Sequence, residues 1–249
     1  MSELDYKSFY DKVGKTNGWD FSKLQIMSEG VKWDFYEEVK KRCKISDVLL
    51  DVGTGGGENA LKIASSLLFL IGIDISNGMM ETAQSNLKKS KVLNVRFFQM
   101  SSEDLQFTNG FFDIISSCHA PFVSKEVAKV LKIGGTFLTQ QVSEADKLNL
   151  KKAFGRGQAF EKTDGDLKDK YIRELRGAGF SDVQYLDYNA VDYYQRPEDL
   201  IFLLKHTPII PNFGEDEKDF DILNDFIETN RTNKGICTNS KRFLIIANK

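Results

Sequence analysis

A short acidic and glycine-rich run, residues 51–58, is the part of this sequence whose residue types most directly suggest ligand chemistry. It reads DVGTGGGE, follows apolar residues and precedes an amphipathic stretch. At a strand-to-helix turn, glycines let the backbone bend and let a ligand approach where a Cβ would otherwise stand. A dinucleotide fingerprint needs a further glycine where this chain has Glu58, whose charge opposes a pyrophosphate at a helix N-terminus. Asp51 and Glu58 instead favour a ligand that lacks phosphate and carries a positive centre.

A second carboxylate, Asp74, follows the glycine run by about 20 residues, the spacing typical of a ribose-binding acid. It ends the apolar run 69–74, and a carboxylate at the end of a neighbouring strand can accept hydrogen bonds from both ribose hydroxyls. A strand-end aspartate often caps the following helix instead, but Ser76 and Asn77 are available as caps here. The residue types therefore favour a ligand role for Asp74.

The elements that position these residues alternate as a parallel sheet with crossover helices requires. Apolar runs bounded by Gly, Asp or Ser predict strands, and stretches with apolar residues at helical spacing predict helices between them. The predicted strands are 48–52, 69–74, 95–100, 112–117, 136–142, 183–188 and 243–247. The predicted helices are 59–68, 78–88, 123–131 and 167–178, with two more within 197–230. Residues 148–165, which contain three glycines, predict a loop or insertion.

In their order and context these motifs resemble those of the class I S-adenosylmethionine-dependent methyltransferases, in particular the small-molecule group often labelled type 11. The resemblance covers roughly residues 45–142 and includes DISNGMM at 74–80, FFDII at 111–115 and VLKIGGT at 130–136. It implies an α/β fold with a doubly wound, Rossmann-like, seven-stranded, mostly parallel sheet and an antiparallel last strand. N-terminal helices and a helical insertion between the last two strands would complete the fold.

The resemblance also implies S-adenosylmethionine as the cofactor and assigns residues to it. The acid and the glycines of the first turn would hold its methionine part, Asp74 its ribose, two apolar residues its adenine faces, and residues 102 and 103 its adenine amino group. The full set is Asp51, Gly53, Thr54, Gly55, Gly57, Asp74, Ile75, Met79, Ser102, Glu103 and Ser117. Two positions depart from the family pattern, because Ser101 stands where an aspartate is usual and Ile133 where a proline is usual.

Methyl transfer needs no obligatory nucleophile, since aligning the acceptor with the methyl group supplies much of the acceleration. His119, in the segment 116–122 where acceptors approach in this family, is the candidate catalytic residue and would deprotonate a hydroxyl or amine. A histidine at a strand end is more often a packed structural residue, so both interpretations stay open. The three cysteines lie far apart and without a histidine cluster suited to zinc, which predicts neither a metal site nor disulfides.

The length and composition predict a single domain, because 249 residues with 41% apolar composition can bury one sizeable core. We expect an N-terminal helical cap at 1–44, a cofactor-binding core at 45–142, the remainder of the core at 143–190, a helical insertion at 191–240 and a last strand at 241–249. The aromatic-rich cap, from Tyr6 to Tyr36, and the insertion are the candidate lid over the acceptor. Tyr10, Trp19 and Tyr194 would then line a pocket for a small, partly apolar molecule.

Composition also narrows the partners. The formal net charge is −2, with charged residues at 28%, so the chain lacks the basic excess that nucleic-acid binding needs. Residues 1–10 do not form a signal peptide, and no apolar run reaches the roughly 18 residues of a membrane span. We therefore expect a cytoplasmic enzyme with a small-molecule acceptor and no membrane partner, its oligomeric state open. The alternatives are an RNA methyltransferase, an NAD(P)-dependent oxidoreductase and a non-catalytic S-adenosylmethionine-binding protein.

Overall fold

A mixed β-sheet positions the predicted site residues in the computed structural model, which describes residues 3–249 and their side chains from residue 7 onward. The strands are β1 (Ile26–Glu29), β2 (Val48–Val52), β3 (Phe69–Asp74), β4 (Val95–Gln99), β5 (Phe112–Cys118), β6 (Leu131–Val142), β7 (Asp182–Tyr194), β8 (Arg231–Thr232) and β9 (Gly235–Asn248). Across the described residues they form one sheet in the order β1–β7–β9–β6–β5–β2–β3–β4, and β8 pairs with β9 outside this path. Strands β2 to β6 pair in parallel, whereas β9, β7 and β1 are antiparallel to their neighbours. The predicted fold class is confirmed, and the short strands β1 and β8 add to the seven that were predicted.

The parallel strands bring the predicted site residues to one edge of the sheet. Most side chains of these strands are apolar, because helices cover both faces of a parallel sheet. The register places Asp51 of β2 opposite Gly72 of β3 and Ser116 of β5. Since these strands are parallel, their carboxyl ends share an edge, which is where open α/β sheets bind ligands. The turn after β2, Asp74 at the end of β3 and Cys118 at the end of β5 all lie along that edge.

The helices are α1 (Glu3–Asn17), α2 (Phe35–Lys40), α3 (Glu58–Ile63), α4 (Asn77–Ser90), α5 (Ser124–Val130), α6 (Leu148–Phe154), α7 (Asp166–Gly177), α8 (Pro197–His206) and α9 (Lys218–Asn230). Of the two residues available as caps, Ser76 caps α4, and its Oγ accepts a hydrogen bond from Met79 N at 3.1 Å. Two stretches differ from the prediction: the expected loop 148–165 contains α6, and the expected helical cap 1–44 also contributes β1. None of the described helices is long and apolar enough to cross a membrane.

Strands β7 and β9 form an antiparallel pair much longer than the sequence predicted. Strands β7 and β9 pair continuously from Asp182 opposite Asn248 to Tyr194 opposite Ile236. The outer half carries many polar residues, so the apolar alternation that marks a strand is weak there. Its apolar residues pack with α6, α8 and α9 in a separate cluster. Tyr194 belongs to this cluster and is 1% exposed, so the prediction that it lines the acceptor pocket is wrong.

Candidate functional site

The glycine-rich turn bends back against β3 at the ligand-binding edge of the sheet. Gly53 N and Thr54 N both donate to the Ile73 carbonyl, at 2.8 and 2.9 Å. Gly53, Gly55 and Gly57 have φ values of +70°, +57° and +74°, in a region that residues with a Cβ rarely adopt. Gly53 is partly exposed, whereas Gly55 and Gly57 are buried.

The protein's own packing also requires glycine in the turn. A Cβ on Gly53 would lie only 2.1 Å from the Cβ of Ala120. A Cβ on Gly55 would lie 3.1 Å from the Cβ of Trp19, which is tight but far less crowded. The sequence predicts glycine here for the approach of a ligand, and contacts within the protein are a second reason for it. Gly55 is thus the position where a substitution tests ligand approach with less damage to packing than at Gly53.

Asp74 faces this turn and receives backbone hydrogen bonds on both carboxylate oxygens. Gly55 N donates to Oδ2 at 3.1 Å, and Ser76 N donates to Oδ1 at 2.9 Å. Burial raises the pKa of Asp74, while these two amides act in the opposite direction. Each oxygen keeps a further lone pair, so the group can still accept two hydrogen bonds from vicinal hydroxyls. The predicted juxtaposition of Asp74 and the turn is present, and its ribose role stays a prediction.

Asp51 lies buried at the end of β2, among groups that donate hydrogen bonds to it. Ser116 Oγ donates to its Oδ1 at 2.6 Å and Tyr36 OH to its Oδ2 at 3.3 Å. Desolvation raises the pKa of Asp51 to about 6. Beside it, Thr54 Oγ1 is buried and makes no hydrogen bond of good geometry to any described residue. A buried carboxylate next to an unpaired hydroxyl is complementary to an ammonium group, which would satisfy both.

Two carboxylates form hydrogen bonds that hold the N-terminal segment, residues 7–21, against this edge of the sheet. Asp11 of α1 accepts from Ser76 Oγ at 2.7 Å and from Gly78 N at 3.3 Å. Farther along, Trp19 N donates to Glu58 Oε1 at 3.2 Å. Glu58, which the sequence suggested as a charge for the ligand, thus holds the N-terminal segment in place. Asp11 carried no motif in the sequence, because its partners lie more than 60 residues away.

A row of aromatic rings joins the N-terminal segment to the insertion. The ring of Trp19 meets Tyr10 edge-on at 5.7 Å and Phe21 at 5.0 Å. Phe21 in turn meets Phe202 of α8 at 5.9 Å. The two predicted parts of the lid are therefore in contact, on the side of the sheet edge that carries the glycine turn. Tyr6, also part of the predicted cap, lies outside the residues whose side chains are described.

His119 follows β5 in a left-handed backbone conformation, with φ of +58°. Its Nε2 lies 3.1 Å from Gln140 Nε2, and Gln140 Oε1 accepts from Trp33 Nε1 at 2.7 Å. Because Trp33 Nε1 can only donate, Gln140 turns its oxygen to Trp33 and donates its amide proton to His119, which leaves the imidazole proton on Nδ1. Burial lowers the pKa of His119 to about 3, and the charge of Arg242 adds to this effect. Gln140 thus occupies the lone pair that a base would use, and the base role stays a prediction.

The comparison with known families decides the interpretation of this edge. Residues 49–135 match a family model described as a methyltransferase domain. Residues 49–135 therefore carry a methyltransferase domain. The matched range runs from β2 into β6 and contains the glycine turn, Asp74 and Ser117. The family predicted from the sequence motifs is therefore confirmed for this part of the chain.

Individual relatives agree with this assignment. The uncharacterized methyltransferase YcgJ of Bacillus subtilis is 37% identical over 103 residues, which cover 39% of this chain and 41% of YcgJ, so the chain matches less than half of that curated relative. A demethylmenaquinone methyltransferase of Lactococcus lactis is 29% identical over 201 residues, covering 67% of this chain and 79% of the relative.

Solved structures extend the likeness in fold to most of the chain. The structure of YcgJ superposes with a TM-score of 0.60 at 23% identity and covers 85% of this chain and 96% of its own. The [4+2]-cyclase SpnF superposes with a TM-score of 0.62 at 17% identity and covers 98% of this chain and 95% of its own. These structures show the fold alone, and the name of the second indicates that this fold also carries a different reaction.

Within the methyltransferase domain, the residues predicted for the adenine and the acceptor side are spread along the same edge. Met79 is buried at the start of α4, and the Ile75 carbonyl accepts from Gln99 Nε2 at 3.0 Å. Ser102 and Glu103 lie in the loop after β4, with Glu103 exposed. Ser117 Oγ donates to the Ala120 carbonyl at 3.1 Å, and Ser117 thus braces the segment before α5. The cofactor roles of these residues stay predictions.

Replacing Asp51 with asparagine should stabilise the methyltransferase domain above neutral pH and weaken cofactor binding. The pKa of Asp51 is raised to about 6, so the stability that its protonated form provides is lost as the pH rises through 6. With about 1.4 kcal/mol per pKa unit, the variant should gain on the order of 3 kcal/mol at pH 8 and about half of that at pH 5. Urea unfolding at both pH values measures this, with Asp182→Asn, an exposed strand residue, as the control. Equal stability of wild type and variant at pH 8 would contradict the burial argument.

If His119 is the general base, His119→Asn should lower kcat by roughly 10²- to 10⁴-fold, the usual contribution of such a group. Asparagine is chosen because it tolerates the left-handed backbone at this position. Since the pKa of His119 is lowered to about 3, the ring is neutral throughout pH 5–8, and no acid limb of the wild-type rate should arise from it in that range. His206→Asn on α8 is the control. A loss below about tenfold would reduce His119 to a structural role.

Proposed function

We propose that this chain is an S-adenosylmethionine-dependent methyltransferase that moves a methyl group to an O, N or C atom of a small-molecule acceptor. The observation that carries this proposal is the meeting of two carboxylates at one sheet edge, since Asp74 closes directly against the glycine turn that follows Asp51. The relatives support the reaction class, because two of them are named methyltransferases.

The chain's own residues fit the cofactor in three respects. The buried Asp51 carboxylate and the unpaired Thr54 Oγ1 are complementary to the α-ammonium group. Asp74 keeps lone pairs for the ribose hydroxyls, and Gly53, the partly exposed glycine of the turn, has no Cβ that would keep a ligand away. When bound, S-adenosylmethionine supplies an electrophilic methyl group on its sulfonium. The residues listed here bind and orient, which is most of what this displacement requires of a protein.

The acceptor side is assigned to the edge beyond β5 and β6, under the N-terminal segment and the insertion. The row of rings from Tyr10 to Phe202 supplies apolar walls, with polar tips on Tyr10 and Trp19, as small-molecule sites usually do. An RNA site would instead require an excess of Lys and Arg, and the net charge of −2 does not provide one. Glu58, bonded to Trp19 N, stands where a dinucleotide site has its last glycine, which argues against an oxidoreductase.

The lid assignment predicts a change in hydrogen exchange. Backbone amides of residues 7–21 and of α8 should exchange more slowly when S-adenosylhomocysteine fills the site, because a closed lid opens less often. Mass spectrometry of the protein with and without this ligand measures the effect, with α7 on the opposite side of the sheet as an internal reference. If both segments exchange equally in the two states, they are ordinary core and the lid assignment fails.

The proposed function itself is tested in two steps. Calorimetry should first show that S-adenosylhomocysteine binds to the purified protein. A screen with labelled S-adenosylmethionine against metabolite extracts should then yield a small product that carries the label. The absence of cofactor binding would contradict the proposal, whereas binding without any transfer would favour a non-catalytic S-adenosylmethionine-binding protein.

A further inference from the structure

Arg242 of β9 lies at the acceptor side of the same sheet edge. It pairs with Val142, the last residue of β6, and on its other side with Tyr188 of β7. Strand β9 is separated from β5 only by β6, so Arg242 stands roughly 10 Å across the sheet from the end of β5. An extended arginine side chain spans much of that distance.

The hydrogen bonds of Arg242 use one end of its guanidinium group. Nη1 contacts Asp146 Oδ1 and donates to the Lys241 carbonyl at 3.1 Å. Among the described residues Nε and Nη2 have no acceptor, and neither is sealed from solvent, in keeping with a side chain that is 15% exposed. In Arg196 these two donors are occupied: its Nε and Nη2 donate to the two oxygens of Asp199 at 3.1 and 2.6 Å. In Arg242 the same pair of donors is free.

The cations near Arg242 already have partners. Lys147 Nζ lies 2.6 Å from Asp192 Oδ2, and Lys241 pairs with Asp164. Lys151 Nζ donates to backbone carbonyls. A phosphate would be better served by several unpaired cations or a helix N-terminus, whereas the planar pair of donors on one arginine matches the two oxygens of a carboxylate.

An aromatic residue, Tyr188, is the strand neighbour of Arg242. The rings of Trp33 and Tyr188 are 4.6 Å apart. Trp33 is also bound to Gln140, the residue that holds His119. Tyr188 thus offers a half-buried aromatic ring beside Arg242, next to the segment where the proposed function places the acceptor.

We propose that Arg242 binds a carboxylate of the methyl acceptor through Nε and Nη2, so that the substrate is a small, partly apolar carboxylic acid. This inference rests on the proposed function and adds a specificity-determining residue to it. Asp146 holds Nη1 and thereby orients the free side of the guanidinium toward the acceptor. A neutral acceptor of the same shape would leave Nε and Nη2 of a partly buried guanidinium without an anionic acceptor, which costs affinity.

Benzoate and its uncharged analogue benzamide are suitable probes, used on protein saturated with S-adenosylhomocysteine. Ligand-observed NMR titration should show that benzoate binds more tightly than benzamide. Arg242→Gln should weaken benzoate binding roughly tenfold or more, the loss expected for a charged hydrogen-bonding pair. Arg242→Lys should lie between the two, because it keeps the charge without the paired donors. Arg196→Gln, whose donors are already used by Asp199, is the matched control and should bind benzoate as the wild type does.

The outcomes separate this inference from the proposed function. If the wild type does not bind S-adenosylhomocysteine, the proposed function fails, and the inference that depends on it falls as well. If S-adenosylhomocysteine binds but benzoate does not, or benzoate and benzamide bind equally, or Arg242→Gln leaves benzoate binding unchanged, the inference alone is overturned. It is also overturned if Arg242→Gln weakens S-adenosylhomocysteine, since Arg242 would then serve the carboxylate of the cofactor. Should Arg242→Gln fail to fold, weaker benzoate binding by Arg242→Lys supports the inference and unchanged binding overturns it.

Discussion

Asp74→Ala should weaken S-adenosylhomocysteine binding by about 1.5–3 kcal/mol, the range for hydrogen bonds to a charged group. The carboxylate faces the glycine turn and retains lone pairs for a pair of hydroxyls. Calorimetry of wild type and variant measures the loss. Asp182→Ala, at the opposite end of the sheet, is the control and should bind as the wild type does.

Asp74 also holds Gly55 N and Ser76 N, so its removal could disturb the turn rather than a ribose contact. A double-mutant cycle separates the two causes. The 2′-deoxy analogue of S-adenosylhomocysteine should bind the wild type more weakly, yet lose little further affinity when it binds Asp74→Ala. Additive losses would show that Asp74 acts through the turn, and unchanged affinity of Asp74→Ala for the parent ligand would refute the ribose assignment.

Gly55→Val should reduce cofactor binding below detection while the protein still folds. The backbone of Gly55 has φ of +57°, and its Cβ position lies 3.1 Å from the Trp19 Cβ, so a branched side chain fills the space above the turn. The left-handed conformation itself costs about 1–2 kcal/mol for a residue with a Cβ. Circular dichroism establishes folding, and calorimetry with S-adenosylhomocysteine measures binding.

Gly134→Val provides a matched control for the strain. Gly134 has φ of +79° and no atom within 4 Å of its Cβ position, and it lies in β6 far from the carboxyl edge. This variant should lose similar stability and keep full affinity. Adding Trp19→Ala to Gly55→Val removes the clash within the protein, so restored binding in the double variant would show that Trp19, and not the ligand, had been displaced. Binding by Gly55→Val at wild-type affinity would contradict the site.

The sequence predicted the parallel half of the sheet to within a few residues for most strands. Strands β2 and β3 have the predicted bounds, because both are short apolar runs that end at acidic or glycine residues. Such signals are local, since burial on both faces demands continuous apolar side chains and the turns demand glycine. The capping of α4 by Ser76 followed from the same kind of local chemistry.

The composition of the ligand-binding edge of the sheet was also predictable from the positions of the strands. In a parallel sheet, the residues that follow successive strands must meet at one edge, so strand positions alone brought Asp51 and Asp74 together. The contacts that decide the properties of these groups were not predictable in this way. Tyr36 reaches Asp51, and Asp11 reaches Ser76, only because helices ahead of the sheet fold back over it.

The sequence by itself therefore determined the family, the parallel core and the acidic and glycine residues of the edge. Each of these depends on residues that are close together in the chain. Only the tertiary structure decided the long pairing of β7 with β9, in which Tyr194 is core, and the pairing of Arg242 with Asp146, 96 residues earlier in the chain. Lys147 is 2% exposed and pairs with Asp192, although from sequence alone a lysine is expected at the surface. A buried charge is stable only with its partner, and partners this distant meet through the packing of whole elements.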